Sequence, residues 1–434
     1  MKTLRVLALA IGMGVAGAAA APSVADACGG CFAPPGAAQV VTDHRMVLSL
    51  SERQTVLWDQ FQYSGAPEEF SWILPIRYTD ATRVELANDN FLQLLDNLGV
   101  AALDQPTPPG YAPGCEPPED DRLALPSAGF ADSAVAADAS VTVLREEVVG
   151  PYAVAIVRGA TGMGLREWLR MNGYTVPASL ESVLDFYLNL NMDFVALRLR
   201  PGKGLNRMAP VRVVTQGYAP SLPLRMIAAG IADKVGLTLT VLARSRVEAM
   251  NFPNLELADN DFVYDWSAPP AALGDEFVRV YRERNRAMGS RVWVTESAME
   301  QSQGALSNLA SNFDLRGGPR PDGGAMPVGS TVSDVNLALE GLGSTATVTR
   351  LRAELGPSAL DRDLQIAASD RGLRDRTYHF GRELNRPAYA ACPWGEPDSF
   401  AGCSVAYGSD GPALPALAVG VVFASLARRR RRAR

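Results

Sequence analysis

Histidine is nearly missing from this 434-residue chain, which has only His44 and His379. Two scattered imidazoles cannot supply the four ligands of a zinc site, so no metal is expected. Catalysis by a Ser-His-Asp arrangement needs a nucleophile on a strained turn, and no Gly-x-Ser-x-Gly occurs. Lysine is equally scarce: Lys2, Lys203 and Lys234 stand against a total of 41 basic residues. That arginine bias reads as genome base composition. Positive charge is also short where a nucleic acid would need it. The net charge is −6; setting aside the +1 of residues 1–27 and the +6 of the last seven residues leaves −13 on the body. An acidic body argues against phosphate-rich partners, so no nucleic acid is expected. Internal repeats and heptads are absent.

Cysteine is sparse: Cys28, Cys31, Cys115, Cys392 and Cys403. In an oxidising compartment the first four are candidates for disulfides, with three pairings open. Cys28-Gly29-Gly30-Cys31 has the spacing of a redox pair. A thioredoxin-like pair opens a helix, whereas this one runs into Ala33-Pro34-Pro35-Gly36. A structural disulfide is the preferred reading.

What is present lies first at the two ends. Lys2 and Arg5, then the apolar stretch Val6 to Ala21, then Ala25-Asp26-Ala27 form a secretory signal peptide over residues 1–27. Cleavage between Ala27 and Cys28 is expected, with lipidation of Cys28 the alternative. Export machinery and signal peptidase are therefore expected partners. At the other end Gly402-Cys403-Ser404 precedes an apolar run, Gly411 to Ala427, and an arginine cluster that includes Arg428, Arg429 and Arg430. Seventeen apolar residues are near the lower limit for a membrane span, and the cluster would stay cytoplasmic. This order of parts, over Gly402 to Arg434, resembles the MYXO-CTERM type of sorting tail. The resemblance implies a temporary membrane anchor that is removed during delivery to the surface; a plain anchor gives the same compartment. The expected location is the periplasm, the outer membrane or the cell surface.

Between the ends the chain reads as α+β: a mixed, mainly antiparallel sheet with interspersed helices. Strands are expected within Gln39 to Pro75, at Phe194 to Leu199, Val211 to Thr215, Leu237 to Ala243, Thr345 to Leu351 and Leu364 to Ala367. Val141 to Val149 and Tyr152 to Val157 make a hairpin around Gly150-Pro151. Helices are expected at Asn88 to Leu98 with Gly99 in a left-handed cap, at Leu165 to Asn172, after Ser179 as N-cap, at Ala271 to Met288 and at Met299 to Leu309. Residues 104–122 form a Pro/Gly/acidic loop insertion and residues 316–330 a linker. The body spans 28–367, a polar stalk 368–410, and the apolar and arginine-rich tail 411–434.

The body resembles the domain-of-unknown-function family 2330 of exported bacterial proteins. The residues that carry this are Cys28-Gly29-Gly30, Trp72-Ile73-Leu74-Pro75, Val149-Gly150-Pro151-Tyr152, Glu167-Trp168-Leu169 with Asn172-Gly173-Tyr174, and Thr349-Arg350-Leu351-Arg352. The resemblance implies export and a common fold, and no activity.

Three local features invite chemistry. Gly159-Ala160-Thr161-Gly162-Met163-Gly164, between a strand and a helix, is similar to the dinucleotide-binding turn of short-chain dehydrogenases. Its last glycine comes one residue early, and no acidic residue follows a second strand, so no cofactor is expected. Asp43-His44 lie side by side on a strand and so point to opposite faces, which leaves His44 on a surface or interface. Glu119-Asp120-Asp121, and Asp259 with Asp261 and Asp265, are oxygen-rich loops that suit calcium but lack the EF-hand spacing. The expected function is a non-enzymatic binding or structural module of the cell envelope, with an envelope protein or polysaccharide as partner. No catalytic residue is assigned. The rivals are an envelope hydrolase using an acidic site, with Asp259 and Asp261 as candidates, and a thiol–disulfide redox protein using Cys28 and Cys31.

Overall fold

The computed structural model describes residues 31–32, 43–61, 70–107, 109, 141–174, 176–177, 180–200, 209–228, 234–268, 276–315 and 329–388. Nearly all of them belong to one compact unit. The signal segment, Cys28, Cys115, Glu119 to Asp121, Ser179, Cys392 and the tail from Gly402 lie outside the described residues, as does most of the 104–122 insertion.

Two sheets dominate. The larger runs in the order Asn254–Leu255, Trp293–Ser302, Thr345–Leu355, Val235–Ala243, Asp43–Leu50, Gln54–Phe61, Val211–Gln216 and Arg83–Leu86. Its neighbours are antiparallel except at two places. Asp43–Leu50 runs parallel to Val235–Ala243, and Asn254–Leu255 parallel to Trp293–Ser302. The smaller sheet is antiparallel throughout: Cys31–Phe32, Ser71–Ile76, Asp193–Leu199, Tyr152–Arg158 and Thr142–Val149. The described helices are α1 (Asp89–Gly99), α2 (Gly162–Met171), α3 (Glu181–Asn189), α4 (Leu224–Ala228), α5 (Glu276–Ala287), α6 (Gln303–Leu315) and α7 (Thr331–Leu339). The fold is α+β, as the sequence predicts.

The period of two in each strand sorts side chains into layers. Met46, Leu48 and Leu50 face the smaller sheet and join Trp72, Leu74, Val154 and Val195 in the core between the sheets. Val47, Val56 and Trp58 point the other way, onto Phe91, Leu95, Leu306 and Leu339 of α1, α6 and α7. The outer face of the smaller sheet, with Ile73, Ala155 and Phe194, is covered by Leu165, Trp168 and Leu184 of α2 and α3. The result is four layers: helices, sheet, sheet, helices. Each large apolar side chain buried between them stabilises the fold by about 1.5–3 kcal/mol.

Buried charge ties the helices to the larger sheet. Arg45 pairs with Asp89 and Asp96 of α1, and Arg350 with Asp96 and Glu296. Asp334 of α7 accepts from Arg212 Nη1 at 2.6 Å, Trp58 Nε1 at 2.8 Å and the Asn88 amide at 2.9 Å. Among the described residues no helix is long and apolar enough to cross a membrane.

Three local expectations need correction. Met299 to Ser302 continue a strand, and the helix expected from Met299 starts at Gln303. Most of the linker expected at 316–330 lies outside the described residues, and a helix that the sequence reading did not mark, α7, begins just after it at Thr331. Gly99 is not a left-handed cap: it ends α1, and what it provides is room. A Cβ there would come within 3.1 Å of Arg350 Cδ, and its carbonyl accepts from Ser297 Oγ at 2.8 Å. Residues 374–387, part of the segment 368–410 expected to be a polar stalk, lie on the body. Thr377–His379 pairs with Ala102–Asp104, Arg382–Leu384 pairs with Val263–Asp265, and Tyr378 is fully buried against Phe262 and Phe277. The polar composition of that segment hid a single aromatic anchor.

Candidate functional site

Where the two sheets diverge at one end they leave a cleft of about 410 Å³. That lies within the range of small-molecule sites, roughly 300–1,000 Å³. Its apolar walls are Leu48, Leu57 and Val213 from the larger sheet and Leu74 and Ile76 from the smaller. The segment Gln216 to Pro223 forms one rim. Gly217, at φ +83°, lets the chain turn there. Thr55 then pins the loop: its Oγ1 accepts from the Ala219 amide at 2.9 Å and donates to the Gly217 carbonyl at 2.8 Å.

Polar groups gather at this mouth. Tyr187 of α3 donates from its hydroxyl to Asp363 Oδ1 at 2.6 Å, and the Arg225 amide donates to the same oxygen at 3.1 Å. Both bonds fall on Oδ1, so Oδ2 has no hydrogen-bond partner among the described residues. Burial raises the Asp363 carboxyl above its ordinary value. The Tyr187 phenol is pushed up by its own burial and then by the Asp363 charge. Arg225 lies with its guanidinium 4.1 Å from the Phe186 ring centroid, which fixes the turn that presents its amide. Arg77, Gln216 and Gln365 are exposed on the rim, and Arg77 has no carboxylate partner among the described residues. Tyr218 leaves 49 % of its surface open there.

Deeper, a void of about 20 Å³ shares Leu57, Leu74, Leu222 and Pro223 with the cleft and ends on His44 and Asp59. It has room for one water. His44 is 2 % exposed, with Nδ1 3.0 Å from Asp59 Oδ1. The expectation of a surface or interface histidine is corrected to one buried in the core between the sheets. On the hairpin His44 stands opposite Phe61 and Met46 opposite Asp59, so the two groups are diagonal neighbours on the inward face. Sequence contained a signal for this: Asp59 falls in register with Leu57 on an otherwise apolar face. No hydroxyl or thiol side chain lines the void among the described residues. The pair closes the deep end of the void with a buried polar contact.

The features singled out from sequence have other duties. In the glycine motif, Thr161 caps α2 by accepting from the Gly164 amide at 3.1 Å. The Gly162 amide, which a phosphate would need, donates to Asp185 Oδ1 at 2.6 Å. The strand before the motif pairs antiparallel on both sides. Asp259 Oδ1 accepts from the His379 amide, Asp261 accepts from the Ala258 amide and pairs with Arg284, and Asp265 Oδ1 accepts from Ser267 and Asn385. Those hydrogen bonds hold the Asp265 carboxyl below the usual range. Each of these carboxylates is thus committed to a turn or to the segment 374–387. Asp104 lies 3.5 Å from His379 Nδ1, an exposed pair. No group of three His, Cys, Asp or Glu residues suited to a metal occurs among the described residues. Of the cysteines only Cys31 is described, in the edge strand beside Trp72.

The motifs named for the family resemblance fall at structurally demanding places. Trp72 and Leu74 wall the void, Trp168 and Tyr174 stack beneath α2, and Arg350 and Arg352 share Glu296. No curated protein and no solved structure matches the chain. A family model does match, over residues 22–364, and its description is "uncharacterized protein conserved in bacteria". The chain belongs to that family, DUF2330.

Proposed function

We propose that the protein is exported and that its body is a non-enzymatic binding module of the cell envelope or cell surface. The cleft between the sheets takes a small hydroxylated ligand, such as a sugar unit of an envelope polysaccharide. The observation that carries this reading is the combination at the mouth of Tyr218, Arg77, Gln216, Gln365 and the second carboxylate oxygen of Asp363 between apolar walls. A sugar offers hydroxyls that both donate and accept, and a C–H face that packs on an aromatic ring. Glutamines, an arginine and a carboxylate meet the first need, and an exposed tyrosine the second. Export is supported by Lys2, Arg5, the Val6 to Ala21 run and Ala25-Asp26-Ala27; transient membrane attachment by the Gly402 to Arg434 tail.

Two experiments test this. Calorimetric titration of the full chain with a panel of mono- and oligosaccharides is expected to find binding that Tyr218→Ala and Asp363→Asn each weaken at least about tenfold. A panel that shows no binding up to about 10 mM, or binding indifferent to both variants, removes the cleft reading. Intact mass of the protein from fractionated native cells is expected to begin at Cys28 and to end near Cys403. A cytoplasmic product that retains Met1 removes export.

A further inference from the structure

On the opposite side of the smaller sheet from the cleft, α2 leaves the sheet uncovered at its C-terminal end. The gap is a pocket of about 230 Å³, the space of roughly seven to eight waters. Its apolar wall is Val148, Ala153 and Ala155 on adjacent strands, with Trp168 and Tyr174 beside them. The two rings are stacked, with centroids 6.1 Å apart.

Two features of this pocket bear on a ligand. Trp168 is 1 % exposed, yet its indole N–H has no acceptor among the described residues. A buried donor left unpaired is costly, and the Trp293 indole N–H is left in the same state. Arg198 is the second. It lies 5.8 Å from the Tyr174 ring centroid and has no carboxylate partner among the described residues. The Tyr174 phenol is pushed up to about 12 by burial, so it remains a neutral donor, given to the Ala196 carbonyl.

We infer that this pocket is a second binding site, for a small apolar monocarboxylate. The carboxylate would take Arg198 as its charge-assisted partner, and the apolar body would lie on Val148, Ala153 and Ala155 beside the Trp168–Tyr174 stack. Glu146 at the rim sets the specificity, because a dicarboxylate would bring a second negative charge against it. The site is separate from the cleft, and its fate does not depend on the sugar reading.

The test uses the full chain with phenylacetate as probe, and phenylacetamide and phenylmalonate as controls. Binding is read by calorimetry and by the Trp168 indole N–H resonance, assigned through Trp168→Phe. Phenylacetate is expected to bind with a Kd of about 0.1–1 mM, to move that resonance, and to lose at least about tenfold in affinity in Arg198→Gln. Because Arg198 is partly exposed, that variant is checked by its thermal unfolding; Arg198→Lys provides a second variant that keeps charge and is expected to recover part of the affinity. Phenylacetamide and phenylmalonate are expected to bind at least about tenfold more weakly. No movement of the Trp168 resonance up to about 10 mM phenylacetate, or equal binding of phenylacetate and phenylacetamide, overturns the proposal.

Discussion

Glu296 Oε2 accepts from Arg350 Nε at 2.6 Å across two antiparallel strands, and the side chains are 1 % and 4 % exposed. The other carboxylate oxygen takes Arg352, and Arg350 also reaches Asp96 on α1. One glutamate thus neutralises two arginines that belong to the same strand. Glu296→Gln removes the carboxylate that Arg350 and Arg352 share and leaves buried Arg350 with Asp96 alone among its described carboxylate partners. It is expected to cost about 3 kcal/mol. Denaturant unfolding would show a lowered midpoint with an unchanged slope. A midpoint within error of the parent would mean that the network contributes little.

Gly162 is demanded by space. A Cβ there would stand 2.4 Å from the Glu181 carbonyl and 2.8 Å from Asp185 Cγ, so α2 and α3 approach only because it is absent. Gly162→Ala is expected to destabilise by about 1–3 kcal/mol. Gly304, at the start of α6, has nothing within 4 Å of its Cβ position. There the same change is expected to stabilise by about 0.5 kcal/mol. Thermal unfolding of the two variants decides; shifts of the same sign would refute the packing account.

Asp363 predicts a pH effect with a definite sign. Its folded-state carboxyl lies above the ordinary 3.8, chiefly through burial. Between that ordinary value and the raised one, the folded state holds the proton more tightly than the unfolded state. Burial of the charged form therefore costs stability at neutral pH, and that cost is relieved as pH falls through the raised value. Asp363→Asn cannot titrate. Relative to this variant, the parent is expected to gain thermal stability between pH 7 and pH 4. A parent that loses ground over that range contradicts the assignment.

His44 and Asp59 are coupled, and a double-mutant cycle measures it. His44→Leu leaves the Asp59 carboxylate buried without its 3.0 Å partner, and is expected to cost about 2–4 kcal/mol. Adding Asp59→Leu should recover part of the loss, with a coupling of about 1–3 kcal/mol. Additive losses would show that the contact is incidental.

The hairpins and the strands Phe194 to Leu199, Val211 to Thr215 and Leu237 to Ala243 were legible because their period of two is set by a core on one or both faces. Trp293–Ser302 was not, since its first half is buried on both faces and it passes into α6 with no Gly or Pro between. Its second half, from Met299, mimics a helix start. Tyr378 was hidden for the opposite reason: one buried ring among charged neighbours has no periodicity. The site was less legible than the fold. The cleft brings residues near 55, 77, 187, 218 and 363 together, and no local spacing announces such a meeting. The glycine motif was conspicuous yet serves helix packing, since Asp185, 23 positions away, occupies the amide that made it look like a phosphate site.

The parallel pairing of Asp43–Leu50 with Val235–Ala243 has a bearing on how the chain matures. The hairpin 43–61 is made early on a ribosome and would emerge early from any N-terminus-first translocation. Its central neighbour comes far later, and that neighbour is in turn paired with Thr345–Leu355. Until then the open edge of Asp43–Leu50 is a template for the wrong partner. Folding of the larger sheet is a long-range, slow event, and the newly made chain is exposed to mispairing over that interval.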